Sequence, residues 1–186
     1  MNTKNLISRT AYVVFLLSFL GIVSIVFQGV NKVKSFKSDE KGERLFWEGE
    51  SEKVKALWKE EWEKKKEMKI ARKLSILYLK EGWIEEGIRF HKEALDIYPE
   101  DPKLRFNLSL IYFQDKRLDN AWKELEKIKE KHPFFPNLHY LRGLILEKKG
   151  RKKEAYKEFL QELNTYPECV GALEKIKLLS NKDIEK

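Results

Sequence analysis

The feature that most constrains this chain is a repeat with a constant period. Pro99, Pro133 and Pro167 are equally spaced, one at every 34th position. Small residues precede each proline by twelve positions and again by twenty-four: Gly87, Ala121 and Ala155 in the first set, and Ser75, Ser109 and Gly143 in the second. A period of this length predicts an all-α fold of paired helices stacked into a solenoid. Each proline ends the second helix of a pair, because proline cannot continue the hydrogen-bond ladder.

The repeated pattern resembles the tetratricopeptide repeat. The third copy fits it best, through Gly143, Gly150, Ala155, Phe159 and Pro167. The resemblance covers about 100 of the 186 residues. It implies a right-handed helix-turn-helix solenoid of three tetratricopeptide repeats with capping helices. Such arrays are scaffolds for other proteins, and the fold itself does not name the partner.

The repeat register divides the chain into segments. The three repeats are predicted at residues 68–101, 102–135 and 136–169. Four segments are predicted before them: an N-terminal tail at 1–9, a transmembrane anchor at 10–30, a juxtamembrane connector at 31–49, and a capping helix or degenerate repeat at 50–67. A C-terminal capping helix at 170–180 and a tail at 181–186 follow.

Apolar patterns also flank the repeats. Val54, Trp58 and Trp62 are spaced i, i+4, i+8, so one face of this segment is apolar. The two tryptophans either pack on the first repeat or bind a partner. Because residues 50–81 contain neither Gly nor Pro, this helix can run unbroken into the first repeat. After the last repeat, apolar residues at three-residue steps predict one more helix: Val170, Leu173, Ile176 and Leu179.

Residues 10–30 carry no charge over 21 positions, and Leu, Val, Ile and Phe dominate them. A helix of about 20 apolar residues spans the bilayer core. The alternative is a cleaved signal peptide, but the run is long and no Ala-x-Ala-like site follows it before Lys32. We therefore predict a single uncleaved transmembrane helix. Leu45, Phe46 and Trp47 follow it, either docked on the repeats or at the membrane interface, where Trp is favoured.

The orientation of this anchor is open to two interpretations. More basic residues follow the span than precede it, and by the positive-inside rule this places the repeats in the cytoplasm. The short N-terminal tail would then have to carry its charges across the membrane. The resemblance to signal-anchored repeat proteins implies the opposite orientation. We expect a single-pass protein of the inner or plasma membrane with an extracytoplasmic repeat domain, and the cytoplasmic side as the alternative.

Catalytic and metal-binding chemistry is not indicated. The three histidines and the single cysteine form no motif with metal-ligand spacing, and there is no glycine-rich phosphate loop. We expect a non-enzyme with no catalytic residues, no metal and no cofactor. The net charge of +8 could suggest nucleic acid. The lysines alternate with glutamates, however, which is typical of solvated helix faces, so no nucleic-acid partner is expected.

The resemblance also implies a binding surface. In tetratricopeptide proteins the concave surface is lined by fixed positions of the first helix of each pair. Carried onto this sequence, the predicted partner-binding residues are Lys69, Arg72, Ile76, Lys103, Phe106, Asn107, Leu110, Phe113, Asn137, Tyr140 and Leu144. The same positions include Lys80, Gln114, Glu147 and Lys148. A groove with central aromatics and cations at one end suits an extended or helical peptide, although Phe106 and Phe113 can equally be packing residues.

One specialised subgroup can be tested residue by residue. Chaperone-binding tetratricopeptide proteins grip a C-terminal carboxylate with a Lys–Asn–Asn–Lys–Arg set. The corresponding positions here hold Arg72, Ile76, Asn107, Asn137 and Leu141. Only Asn107 matches outright and Arg72 approximately, so a chaperone co-factor role is disfavoured.

Two functions remain from the sequence. The first is a membrane-tethered scaffold or adaptor that binds a partner protein in its groove, during assembly of an envelope complex. The alternative is a permanent structural subunit of a larger membrane protein complex. The sequence names neither the partner nor the oligomeric state.

Overall fold

The computed structural model describes residues 40–180. The predicted anchor at residues 10–30 and both predicted tails lie outside the described residues. Within residues 40–180 every regular element is an α-helix, and none of these helices is long and apolar enough to cross a membrane. The described residues divide into two units, with the boundary between Leu57 and Trp58.

Residues 40–47 are helical, and the side chain of Trp47 at their end is 83% exposed. The helices that follow are α1 Ser51–Lys65, α2 Met68–Glu81, α3 Ile84–Ile97, α4 Pro102–Gln114, α5 Leu118–Lys131, α6 Leu138–Lys148, α7 Lys152–Thr165 and α8 Val170–Ser180. We refer to α2–α3, α4–α5 and α6–α7 as the first, second and third helix pairs. The all-helical, tetratricopeptide-like solenoid expected from the period is confirmed.

The turn inside each helix pair has the same backbone conformation. Gly82, Lys116 and Gly150 occupy the same place in the three copies, and their φ angles are 66°, 60° and 76°. This left-handed conformation is easy for glycine and costs energy for a residue with a Cβ. Lys116 therefore holds a turn in the second pair that glycine holds in the other two.

The exit from each helix pair is also repeated. The last residues of the second helices, Ile97, Lys131 and Thr165, each lie two positions before a proline. The residue between them has φ of −123°, −135° and −131° in the three pairs. Proline disfavours the helical conformation of the preceding residue. The proline period therefore ends each second helix in the same way.

The small residues of both sets are all buried. A Cβ on Gly87 would lie 2.9 Å from Ile111 Cδ1 and 3.2 Å from Tyr78 Cβ. A Cβ on Gly143 would overlap the ring of Phe159. The two glycine positions therefore leave room for side chains of neighbouring helices, and at Gly87 the short distance to Tyr78 Cβ also reflects a close approach of α2 and α3.

Two further expectations about the ends of the array need correction. Helix α1 does not run into the first pair, because Lys66 follows it with a φ of 49°. In α8, Ala172 and Leu179 are buried, while Val170 is 66% and Leu173 is 41% exposed. Leu179 and the half-buried Ile176 therefore lie on the buried face of α8 with Ala172, whereas Val170 and Leu173 of the same series do not.

The interpretation of the two tryptophans of α1 as packing residues is confirmed. Trp58 is 3% and Trp62 is 1% exposed. The Trp62 ring lies edge-on to Phe90, with centroids 5.6 Å apart, and its Nε1 donates to Glu93 Oε1 at 2.8 Å. This part of α1 therefore covers the first helix pair, as a solenoid cap does.

Candidate functional site

The predicted partner-binding residues lie on the first helices α2, α4 and α6 or, for Asn137, directly before α6. We call them, with Lys80, Gln114, Glu147 and Lys148, the first-helix surface. Five of the eleven predicted residues are exposed: Lys69, Arg72, Ile76, Lys103 and Asn137. The other six are half-buried: Phe106, Asn107, Leu110, Phe113, Tyr140 and Leu144. None is fully buried.

An apolar row crosses this surface. Ile76, Leu110 and Leu144 occupy the same position of the three first helices, one repeat period apart. Ile76 is 52% exposed, and Leu110 and Leu144 are half-buried. The register therefore presents an accessible apolar side chain from every first helix.

The aromatic residues of the surface have neighbours within the chain. The rings of Phe106 and Phe135 lie 5.2 Å apart. The rings of Tyr140 and Phe159 lie 5.8 Å apart. Lys148 Nζ lies 5.3 Å from the ring centroid of Phe113. Packing therefore accounts for part of each ring, and the half-exposed remainder is what a partner could contact.

Asn107 takes part in a buried hydrogen-bond chain that the sequence did not reveal. His91 is fully buried, and its Nδ1 lies 2.7 Å from the carbonyl oxygen of Gly87. Since a carbonyl only accepts, Nδ1 donates, and Nε2 accepts from Ser75 Oγ at 2.6 Å. Ser75 Oγ in turn accepts from Asn107 Nδ2 at 2.8 Å. Burial lowers the pKa of His91 to about 4, so the ring is neutral.

Arg72 is similarly engaged. Its Nη2 lies 2.5 Å from Asp101 Oδ2, and Asp101 Oδ1 caps α4 by accepting from the Leu104 N–H at 2.8 Å. Arg72 and Asn107 are the two residues that partly matched the chaperone-binding set. Both now have structural partners, which weakens that match further.

The charge of the first-helix surface is predominantly positive. Its cations are Lys69, Arg72, Lys80, Lys103 and Lys148. Its one carboxylate, Glu147, pairs with Lys175 at 2.7 Å. Within residues 40–180, Lys103 has no carboxylate at ion-pair distance. Asp101 and Glu81 already pair with Arg72 and Lys80, so the excess of positive charge that would attract an acidic ligand comes mainly from the other lysines.

Apart from the first-helix surface, the array has a cavity between α5 and α7, the second helices of their pairs. We call it the second-helix cleft, and its volume is about 570 Å³. Its lining includes Trp122, Lys129, Phe134, His139, Arg142 and Glu158. None of them was among the predicted site residues.

Arg142 is the centre of this cleft. It is 4% exposed, and its guanidinium carbon lies 4.0 Å from the Trp122 ring centroid. Its Nη2 donates to Glu158 Oε1 at 2.9 Å, and its Nη1 donates to Glu126. Burial opposes ionisation of Glu158, but the hydrogen bonds and charges of His139 and Arg142 outweigh it and lower the pKa of Glu158 to about 2. The cleft therefore contains an ionised carboxylate.

The sequence did contain a signal for this cluster. The residue one repeat period before Arg142 is Leu108, which is buried. A charged residue that replaces a core leucine in the register is expensive to bury unless it is paired. The departure from the repeat could therefore have predicted a local ion-pair network, although not its partners.

A second unpredicted residue fixes the start of α6. Glu162, which is 1% exposed, accepts hydrogen bonds from the backbone N–H groups of Asn137 at 2.8 Å and His139 at 3.0 Å. The first N–H groups of a helix have no partner within it, and a carboxylate there is favourable. Glu162 therefore caps α6 from the neighbouring helix α7.

Metal binding finds no support in the described part of the chain, where no group of three or more His, Cys, Asp or Glu side chains could hold an ion. The expectation that the protein is not an enzyme stays a prediction.

Comparison with known proteins supports the nature of the repeats. The tetratricopeptide repeat family model matches residues 78–145. No curated protein sequence matches the chain.

Solved structures with the same fold include several MamA proteins. MamA of strain AMB-1 is 23% identical with a TM-score of 0.62, over 81% of this chain and 83% of that protein. MamA from Desulfovibrio magneticus RS-1 is 14% identical with a TM-score of 0.68, over 78% of this chain and 82% of that one. A tetratricopeptide repeat protein from Parabacteroides merdae is 16% identical with a TM-score of 0.67, over 77% and 58%. At these identities the likeness establishes the tetratricopeptide fold and carries no function.

Proposed function

We propose that this chain is a membrane-tethered scaffold whose first-helix surface binds a segment of a partner protein during assembly of an envelope complex. The observation that carries the proposal is the row of Ile76, Leu110 and Leu144. Packing alone does not require an accessible apolar side chain at the same place of every first helix. A periodic apolar row suits an extended or helical peptide that crosses the repeats.

The charge of the same surface specifies the partner further. Four of its five cations are lysines, and its single carboxylate is already paired with Lys175. An acidic segment would therefore be drawn to this surface, with faster association at low salt. Lys103, exposed and without an ion pair in the described part of the chain, is the cation most open to such a ligand.

The tether in this proposal is the uncharged segment at residues 10–30, which is long enough to cross a bilayer as a helix. We place the repeat domain on the extracytoplasmic side, with the cytoplasmic side as the alternative. The exposed ring of Trp47 is suited to the membrane interface.

A permanent structural subunit is the second candidate, and α8 favours it. Val170, Leu173 and Leu178 are 66%, 41% and 63% exposed. Neighbouring exposed apolar residues often mark a protein interface. A subunit packed permanently through this face would keep these side chains from water.

Co-purification with matched variants tests the proposal. The tagged full chain is extracted in detergent from its own cells as the wild type, Ile76→Asp and Lys103→Glu. Arg89→Glu is the control, because Arg89 is exposed on the second helix α3 and has no ion pair within residues 40–180. We expect a partner with an acidic segment that is lost from the first two variants and kept by the control.

Two outcomes contradict the proposal. A partner retained by both first-helix variants would remove the role of this surface. A partner lost only from a Leu173→Asp variant would favour the structural-subunit candidate.

A further inference from the structure

The second-helix cleft is not used by the function proposed above. It lies between α5 and α7, and its residues are separate from those of the first-helix surface. At about 570 Å³ it falls within the roughly 300–1,000 Å³ typical of ligand clefts. It can therefore accept side chains of a bound segment.

The rim of the cleft carries an exposed aromatic residue that is held in place. Phe134 is 68% exposed, and its carbonyl oxygen accepts a hydrogen bond from the Tyr166 hydroxyl. Phe135, the next residue, packs on Phe106. Three positions after Phe134, the N–H of Asn137 donates to Glu162 at 2.8 Å. An aromatic side chain on a fixed backbone loses little freedom on binding, which is a property of interface anchors.

The base of the cleft offers a ring nitrogen for a further hydrogen bond. His139 is 7% exposed, and its Nδ1 lies 2.6 Å from Glu158 Oε2. Because Glu158 is ionised, Nδ1 donates to it, and Nε2 is the ring nitrogen left for another polar partner. Nε2 has no hydrogen-bond partner within residues 40–180. A polar group of a ligand would satisfy it.

The charge that remains in the cleft is positive. Its two carboxylates are already engaged, Glu158 by His139 and Arg142 and Glu154 by Arg151 at 2.5 Å. Lys129 and Lys157 also line the cleft. Neither has a carboxylate at ion-pair distance in the described part of the chain.

Comparison with the preceding helix pair shows that the fold does not require this combination. One repeat period earlier, Glu100 stands in place of Phe134 and Leu95 in place of Lys129. Glu100 pairs with Lys131 at 2.6 Å. The exposed aromatic residue and the lysine are therefore particular to the second-helix cleft.

We propose that the second-helix cleft is a second docking site, and that it binds an acidic segment of a partner protein. An apolar side chain of that segment packs against Phe134 and Trp122. Its carboxylates meet Lys129 and Lys157, and one of its backbone polar groups forms a hydrogen bond with His139 Nε2. A small molecule inside the cleft would leave the exposed ring of Phe134 on the rim in water. A protein segment can enter the cleft and cover this ring as well.

Selection from a displayed library of short random peptides tests this site. The purified full chain is the target, and binders of a Phe134→Ala/Lys129→Glu double variant are removed first. We expect the enriched peptides to be rich in Asp and Glu around an apolar residue. Affinity for the leading peptide should fall at least about tenfold with Phe134→Ala, fall with Lys129→Glu, and weaken as salt is added.

The controls separate this site from the first-helix surface. Ile76→Ala and Lys103→Glu should leave the affinity for the leading peptide unchanged, and so should Leu178→Ala, which removes an exposed side chain elsewhere. Because Phe134 is exposed, its variant should also melt like the wild type. The proposal is overturned if no peptide is enriched, if the enriched peptides are not acidic, or if Phe134→Ala binds the leading peptide as well as the wild type does. Sensitivity to Lys103→Glu alone would also overturn it and would assign the peptide to the first-helix surface.

Discussion

The network around Arg142 predicts a specific exchange between helix pairs. In the second pair the counterpart of Arg142 is Leu108, which is 2% exposed. The counterparts of His139 and Glu158 there are Arg105 and Glu124, which pair at 2.7 Å. Arg142→Leu alone removes a guanidinium from Glu158. Adding His139→Arg rebuilds the arrangement that the second pair already uses.

The cost of Arg142→Leu can be worked out in two ways. Removing one partner of a buried ion pair costs about 3–5 kcal/mol. The pKa of Glu158 is lowered from 4.5 to about 2, and at about 1.4 kcal/mol per pKa unit this corresponds to roughly 3 kcal/mol, to which His139 and Arg142 both contribute. Since His139 still contacts Glu158 in the variant, we expect a loss of about 3 kcal/mol, or roughly 6–12 °C in melting temperature for a chain of this size. The double variant should recover to within about 1 kcal/mol of the wild type.

The melting temperatures of both variants are measured on the full chain in detergent, with far-ultraviolet circular dichroism as the signal. A pH series adds a second readout. Because the folded pKa of Glu158 lies below its unfolded value, its contribution is present above about pH 4.5 and is lost as the pH falls to about 2. Arg142→Leu should weaken this dependence. A double variant no more stable than Arg142→Leu would refute the reasoning, and so would a single variant that melts like the wild type.

Four other predictions concern the array and its anchor. Lys116→Gly should stabilise the protein by roughly 0.5–1 kcal/mol, because glycine adopts the left-handed backbone conformation of this turn without the steric cost of a Cβ. A lower melting temperature would contradict this. Ala121→Leu should destabilise it by about 1–3 kcal/mol through overpacking of a fully buried position, measured by the same melt. The pKa of His91 falls from 6.5 to about 4 on folding, so between these pH values the unfolded chain binds one more proton than the folded chain. Stability should therefore decrease as the pH is lowered from 6.5 to 4, and His91→Gln should not show this decrease. Deleting residues 1–31 should yield a soluble helical protein of unchanged melting temperature, and an aggregated product would instead favour the structural-subunit candidate.

The sequence predicted the repeated backbone well, for a physical reason. Proline and left-handed turn residues act within a few residues of the chain, so Pro133 and Lys116 can be interpreted without tertiary structure. Because the prolines are equally spaced, the three helix pairs can be predicted to share one tetratricopeptide-like form.

What could not be predicted depends on contacts between helices. Glu162 lies on α7 and caps α6, which begins at Leu138, and no local rule connects the two. The hydrogen bonds that connect His91, Ser75 and Asn107 join three helices. The surroundings of Gly87 and Gly143 are a similar case, because the periodic pattern shows where space is needed but not which side chain fills it. At Gly143 the ring of Phe159 fills this space.

Comparison of the three copies separates packing from binding in two ways. A position that is small or left-handed in every copy is explained by the backbone, but Ile76, Leu110 and Leu144 are apolar in every copy and remain accessible. A ligand on that row would contact each helix pair in register, so the length of its bound segment should follow the number of pairs it crosses. Phe134 and Lys129, in contrast, have no like residue one period earlier. A ligand there contacts the array at one place, and adding or removing a helix pair at the N-terminal end of the array should leave its affinity unchanged.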